Sequence, residues 1–198
     1  KPFIHNTPVL TSNQINKMTG SEIYFKCDNF QKMGAFKMRG ATNAILQLSD
    51  ENKKNGVVTH SSGNFAQALS LAAKSIGVKA YIVMPSSATE IKKTAVKGYG
   101  GELIECEPNL KAREKAANDI AKSTGATFLH PSNDIEVILG QGTACKELLS
   151  ATFKIKSMEE VASSLGVSYA YARKKKSLCI GKLTELVHES PKFNQLNY

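Results

Sequence analysis

Apolar and polar positions along the chain follow two periods that take turns. Residues 22–27 (EIYFKC) alternate polar and apolar side chains, the period of two of a half-buried strand. From Phe36 to Leu48 the apolar positions Met38, Ala41, Ile45 and Leu48 recur every three to four residues, which predicts a helix ended by the polar run 49–52. Residues 56–59 (GVVT) then predict a short strand, and residues 64–76 a helix with Ala68, Leu71, Ala72 and Ile76 on its apolar side, closed by Gly77. The same grammar repeats. Residues 79–84 form a strand halted by Pro85, 90–99 a helix stopped by Gly100 and Gly101, 102–106 a strand, 110–123 a helix and 126–129 a last short strand. Strands alternating with helices of this length imply βαβ units around a parallel sheet. The Val- and Ile-rich strands fit a sheet covered on both faces. The expected fold class is therefore α/β, with three layers and helices on either side of a parallel sheet.

Beyond Lys146 the alternation stops and the pattern predicts short helices only. Ser157 is placed as an N-cap with Glu160 as its capping-box partner, followed by a helix over 158–165 and a tight turn at 166–168. A longer basic helix runs from Tyr169 to about His188, ended by Pro191. This divides the chain into an α/β part, residues 1–143, and a small all-α tail, residues 144–198.

Composition narrows the class further. Apolar residues make up 41% and charged residues 22%, an ordinary globular balance. The longest apolar stretch, residues 80–84, is far too short to span a bilayer, and no basic-then-apolar leader opens the chain, so neither membrane insertion nor secretion is expected. The four cysteines, Cys27, Cys106, Cys145 and Cys179, are widely spread without a CxxC pair, which argues against a disulfide framework or a metal site and for a reducing cytoplasm. The net charge of +9 favours polyanions, either phosphate groups or nucleic acid. Residues 146–198 carry nine Lys/Arg against five Asp/Glu, densest at Arg173, Lys174, Lys175 and Lys176.

Two segments carry candidate chemistry. In residues 34–40 (GAFKMRG), Lys37 follows a glycine-containing loop at the start of a predicted helix, where the helix dipole lowers an amine's pKa and favours the neutral nucleophile. Most such lysines are simply solvated. Residues 59–65 (THSSGNF) lie between a strand end and a helix start, where hydroxyls, a glycine and backbone N–H groups can receive a carboxylate or phosphate. Taken alone, the same residues serve equally well as an N-cap cluster.

Together the two segments say more. Residues 26–41 (KCDNFQKMGAFKMRGA) resemble the cofactor-lysine segment of fold-type II pyridoxal-phosphate enzymes, and Ser61-Ser62-Gly63-Asn64 with Gln67 and Ala68 resembles their asparagine loop. Residues 7–12, Met84-Pro85, 99–101, His130-Pro131 and 140–143 (GQGT) fall in the order and spacing of the serine racemase and serine/threonine dehydratase family. The resemblance covers about residues 7–143. It implies that Lys37 holds pyridoxal 5'-phosphate as a Schiff base and acts as one acid/base, with Phe36 beside the ring and Asn64 on its phenolic oxygen. It also implies that Ser61, Ser62, Gly63 and Asn64 cradle the carboxylate of serine or threonine, and that Ser62 is the second acid/base on the opposite face. Phe65 stands where the family usually carries His. The family's glycine-rich phosphate loop lies beyond the matched region, so a truncated, weakly active or inactive member is expected, with an exposed apolar face open to self-association.

The tail has its own resemblance. Residues 146–149, 157–162, 165–169 and 172–176 resemble the helix-turn-helix of extracytoplasmic-function sigma factors, with Ala162 and Gly166 allowing the close turn. That implies DNA contact through Tyr169, Arg173, Lys174, Lys175 and Lys176. The alternative is an amphipathic hairpin with solvated lysines. The two resemblances meet near Gly142 to Lys146, where a junction is expected.

Overall fold

The computed structural model describes residues 2–155 together with Ser168 and Ala170. The chain divides into two compact units, one of Lys1–Leu10 and Phe25–Cys145, the other of Thr11–Tyr24 and Lys146–Tyr198.

The first unit holds the sheet. Strands β3 (Val57–His60), β4 (Ala80–Pro85), β5 (Glu102–Cys106) and β6 (Thr127–Phe128) run parallel in the order β5-β4-β3-β6. Val57 lies opposite Ala80 of β4 and Thr127 of β6, and Tyr81 of β4 lies opposite Glu102 of β5. The pleat sends neighbouring side chains to opposite faces, and each face has its own core. On one side Val57, Ile82 and Met84 pack with residues of α2 (Lys37–Gln47), α4 (Asn64–Ile76), α5 (Glu90–Gly98) and α7 (Ile135–Ile155), among them Met38, Ile45, Leu69, Val96 and Val137. On the other side Val58 and Val83 pack with Ala117 and Ile120 of α6 (Leu110–Thr124) and with Phe128. The parallel sheet covered on both faces is thus as the alternation predicts, and the bounds of α4 and β5 coincide with the predicted ones.

Three elements escape the pattern. Strand β1 (Val9–Thr11) and helices α1 (Asn13–Thr19) and α3 (Asp50–Asn55) are short, and neither helix contains a buried residue, so no apolar period marks them. Their signals are caps: the Ser12 hydroxyl accepts the Ile15 N–H at 3.4 Å, and the Ser49 hydroxyl accepts the Asn52 N–H at 3.2 Å. The remaining short strand, β2, spans Tyr24–Lys26, inside the predicted one.

The largest departure is α7. The sequence predicts no helix between the strand ending at residue 129 and Lys146, whereas one helix runs from Ile135 to Ile155 through the expected junction. The motif at residues 140–143 lies within it. Its glycines mislead because glycine disfavours isolated helices, yet here it permits a crossing. A Cβ on Gly140 would stand 2.6 Å from the Arg39 carbonyl oxygen and 2.8 Å from Gly40 Cα, and a Cβ on Gly40 would stand 2.7 Å from the Val137 carbonyl oxygen. Backbones of α2 and α7 therefore touch at a glycine pair, and Asn43 Nδ2 donates to the carbonyl and the carboxylate of Glu136 (2.8 and 2.9 Å) beside it. The predicted tail helices and Tyr169, Arg173, Lys174, Lys175 and Lys176 lie outside the described residues.

Candidate active site

Lys37 is the first residue of α2, entered through two tight turns over Asp28–Phe30 and Lys32–Gly34. Met33 in the second turn has φ 56, a conformation unfavourable for a side chain larger than Asn. Buried Gln31 holds this entry: its Oε1 accepts the N–H groups of His5 (2.7 Å) and Lys32 (3.0 Å), and its Nε2 donates to the His5 carbonyl (2.8 Å).

One helical step beyond the lysine lies a buried ion pair. Arg39, 1% exposed, donates Nε and Nη2 to the two oxygens of Asp28 (2.7 and 2.9 Å). Its Nη2 also reaches the Thr7 hydroxyl at 3.3 Å and its Nη1 the Thr143 hydroxyl at 3.2 Å, while Thr7 donates to Asp28 at 2.6 Å. Burial alone would raise the Asp28 carboxyl, but the bonds from Arg39 and Thr7 and the guanidinium charge more than offset it and hold the group below its ordinary value. This network fastens the N-terminal segment, the turn at Asp28 and α7 onto the first turn of α2.

The Lys37 amine lies 5.2 Å from the centre of the Phe36 ring and 6.0 Å from that of Phe65, and it donates to the Pro131 carbonyl at 2.7 Å. Burial pushes its pKa down. Phe65 belongs to the first turn of α4, so the start of α4 adjoins the lysine.

That start is built differently. Ser61 N–H extends the β3–β4 ladder by donating to the Val83 carbonyl at 3.1 Å, and Gly63 occupies the N-cap in an extended conformation with no side-chain cap. A Cβ at Gly63 would meet nothing within 4 Å. Among the described residues, the side chains of Ser62 and Asn64 make no hydrogen bond; Ser61, Ser62 and Gly63 are half-buried and Asn64 is exposed. The helix start therefore offers N–H groups and hydroxyls to an anion from the carboxyl end of the sheet.

Behind it, the rings of His60 and His130 meet edge to face at 5.9 Å, both against Phe128. Burial, with the neighbouring His130 and Arg113 charges, lowers the pKa of His60. No group of three His, Cys, Asp or Glu side chains among the described residues could hold a metal ion. No described helix is long and apolar enough to cross a membrane.

The structure thus brings Lys37, Phe36 and the start of α4 with Ser61, Ser62, Gly63 and Asn64 into one neighbourhood. The sequence does not disclose the Pro131 carbonyl, the His60–His130 pair or the Arg39 network. Several members lie within the noted motifs, but they are distant in the chain and no local pattern pairs them. The residues present fit pyridoxal phosphate: a desolvated amine, two aromatic faces flanking it, and an uncapped helix start with open space at Gly63.

The family described as pyridoxal-phosphate dependent enzyme matches residues 1–170, well past the point near residue 143 where the resemblance is traced from motifs alone. A β-hydroxyaspartate dehydratase of Paracoccus denitrificans is 46% identical over 84% of this chain and 52% of its own length. A serine racemase of Arabidopsis thaliana is 47% identical over 90% of this chain and 54% of its own. The chain spans about half the length of the curated relatives it matches. Among solved structures, the serine racemase of Dictyostelium discoideum superposes with a TM-score of 0.74 at 48% identity, covering 76% of this chain and 49% of that one. A T.th. threonine deaminase gives 0.69 at 37% identity, covering 84% and 49%. The motif order, the parallel α/β sheet and these matches agree: the chain belongs to the family of pyridoxal-phosphate-dependent enzymes.

Proposed function

We propose that this chain serves proton chemistry at the α-carbon of a small hydroxy amino acid, serine or threonine, as a serine/threonine dehydratase or serine racemase. The observation that carries the reading is Lys37, a partly buried amine of lowered pKa flanked by Phe36 and Phe65 at the open start of α4.

When bound, pyridoxal phosphate accepts into its ring the electrons left behind as the α-proton departs. The protein's own residues do the rest. Lys37 Nζ would hold the cofactor and serve as one proton-transfer group. The Ser62 hydroxyl would be the second, taking or returning a proton. Backbone N–H groups at residues 61–64 and the Ser61 hydroxyl receive the substrate carboxylate, a negative charge suited to a helix start. The exposed Asn64 amide would hydrogen-bond the ring's phenolic oxygen, and Phe36 would pack beside the ring. The same proton removal serves racemisation and elimination. A reducing cytoplasm suits the free thiols of Cys27, Cys106 and Cys145.

The test is to mix the purified chain with pyridoxal phosphate, reduce with borohydride and locate the modified lysine by mass spectrometry. Selective labelling of Lys37, lost in Lys37→Ala, is the expected result. Label spread over surface lysines overturns the assignment.

A further inference from the structure

Lys37 donates to a backbone carbonyl whose direction is set by a histidine. The Nδ1 atom of His130 accepts two backbone N–H groups, from Ser132 at 3.2 Å and from Asn133 at 2.8 Å. Accepting both requires the neutral ring with its proton on Nε2. The Ser132 N–H and the Pro131 C=O belong to one peptide unit, and the chain has no cis peptide bond among the described residues. In a planar trans peptide these two groups point in opposite directions. Fastening the Ser132 N–H onto His130 therefore aims the Pro131 carbonyl the other way, and it is the acceptor of the Lys37 amine at 2.7 Å. The N–H bond on one side of the peptide also polarises the C=O on the other, strengthening its hold on an amine.

We propose that His130 is a positioning residue for Lys37, acting through the Pro131–Ser132 peptide: its unprotonated Nδ1 fixes the carbonyl that holds the amine. The assignment rests on reading Lys37 as the cofactor lysine. No hydrogen bond joins His130 to Lys37 directly among the described residues. When Nδ1 takes a proton it becomes a donor, both N–H bonds are lost and the peptide is free to turn. His60 faces His130 across 5.9 Å from the end of β3 with Phe128 against both rings, and Arg113 and Glu114 of α6 act on His60 with opposite signs.

The experiment uses the whole chain without cofactor. Trace acetic anhydride labels lysines in proportion to their free amine, and mass spectrometry gives the labelling of Lys37 relative to exposed lysines such as Lys111 between about pH 5.5 and 9, a range that brackets histidine. His130→Phe keeps a ring against His60 and Phe128 but has no acceptor. His130→Asn loses the ring but offers an oxygen that can accept N–H groups two and three residues on. At the alkaline end of this range His130→Asn is expected to keep the wild-type ratio. His130→Phe is expected to differ from it there by about tenfold, the effect of losing one charge-assisted hydrogen bond. His130→Phe labelling like wild type overturns the proposal. So do equal changes in both variants, which would trace the effect to ring packing or folding. Failure of the cofactor reading would appear separately, as loss of selective pyridoxal phosphate trapping at Lys37.

Discussion

The two arms of the site, the start of α2 and the start of α4, are built on opposite principles. The lysine arm is clamped: Arg39, Asp28, Thr7 and Thr143 form a buried polar network one step from Lys37, and Gln31 ties down the turn before it. The serine–glycine arm is open, with no side-chain cap on the helix and no hydrogen bond from Ser62 or Asn64 among the described residues. A nucleophilic amine needs one defined position, whereas a receiver of anions needs unsatisfied donors. The contrast teaches that one side of this site is held by internal bonds while the other keeps its bonding capacity for a ligand.

The sharpest way to break the comparison is at the clamp. Asp28→Ala removes the carboxylate bound to the buried Arg39 guanidinium and should cost on the order of 3–5 kcal/mol, read as a fall in the urea midpoint. If it costs no more than an exposed substitution, the network is not a clamp. Next comes the helix crossing that carries Thr143. Gly140→Ala drives a methyl into the Arg39 carbonyl and Gly40, and a loss of about 1–3 kcal/mol is expected from overpacking. Gly142→Ala, whose Cβ would meet nothing within 4 Å, should be neutral or better by the same measurement.

Acid sharpens the clamp from another side. The folded Asp28 carboxyl lies below its unfolded value of about 3.9, so its contribution is complete above that pH and is lost as pH falls through the folded value. Thermal melts between about pH 5 and 2 should show an acid limb that is smaller in Asp28→Asn. Lys37 has the opposite signature for its class. Its pKa is lowered by burial, so the folded state resists protonation and its contribution to stability grows as pH rises through the folded value. Lys37→Met should therefore be slightly more stable than wild type near neutrality, an advantage that shrinks toward alkaline pH. A constant difference across pH would remove the desolvated lysine from the argument.

The smallest effect on stability belongs to the open arm. Ser62→Ala should shift the melt by no more than about 0.5 kcal/mol; under the proposed function it should also lower turnover of serine or threonine by roughly 10²- to 10⁴-fold. Pyridoxal phosphate trapping at Lys37 should survive in this variant. A large loss of stability would mean that the loop is a structural cap after all.

Much of this was legible in advance. Apart from α3, the strands and helices between residues 36 and 129 follow from their periods, and Lys37 and Ser61 to Asn64 stand out only because their two segments occur together in the family's order and spacing. The helix α7 was not legible. Gly140 and Gly142 lower local helix propensity, and only the close approach of Gly40 explains why the chain accepts them. Phe65 was noted only as a departure from the family's polar residue, yet its ring lies 6.0 Å from the Lys37 amine.

By itself the sequence determined the alternating strands and helices, the parallel sheet, the family, and which lysine and which loop are candidates for the chemistry, because each is written in contiguous residues through period, cap or motif. Only the tertiary structure decided that Asp28 would hold Arg39, that the Pro131 carbonyl would hold Lys37, and that His60 and His130 would share a wall. Those pairings join residues brought together by the sheet and the α2–α7 crossing, and a hydrogen bond between distant side chains has no local pattern to announce it.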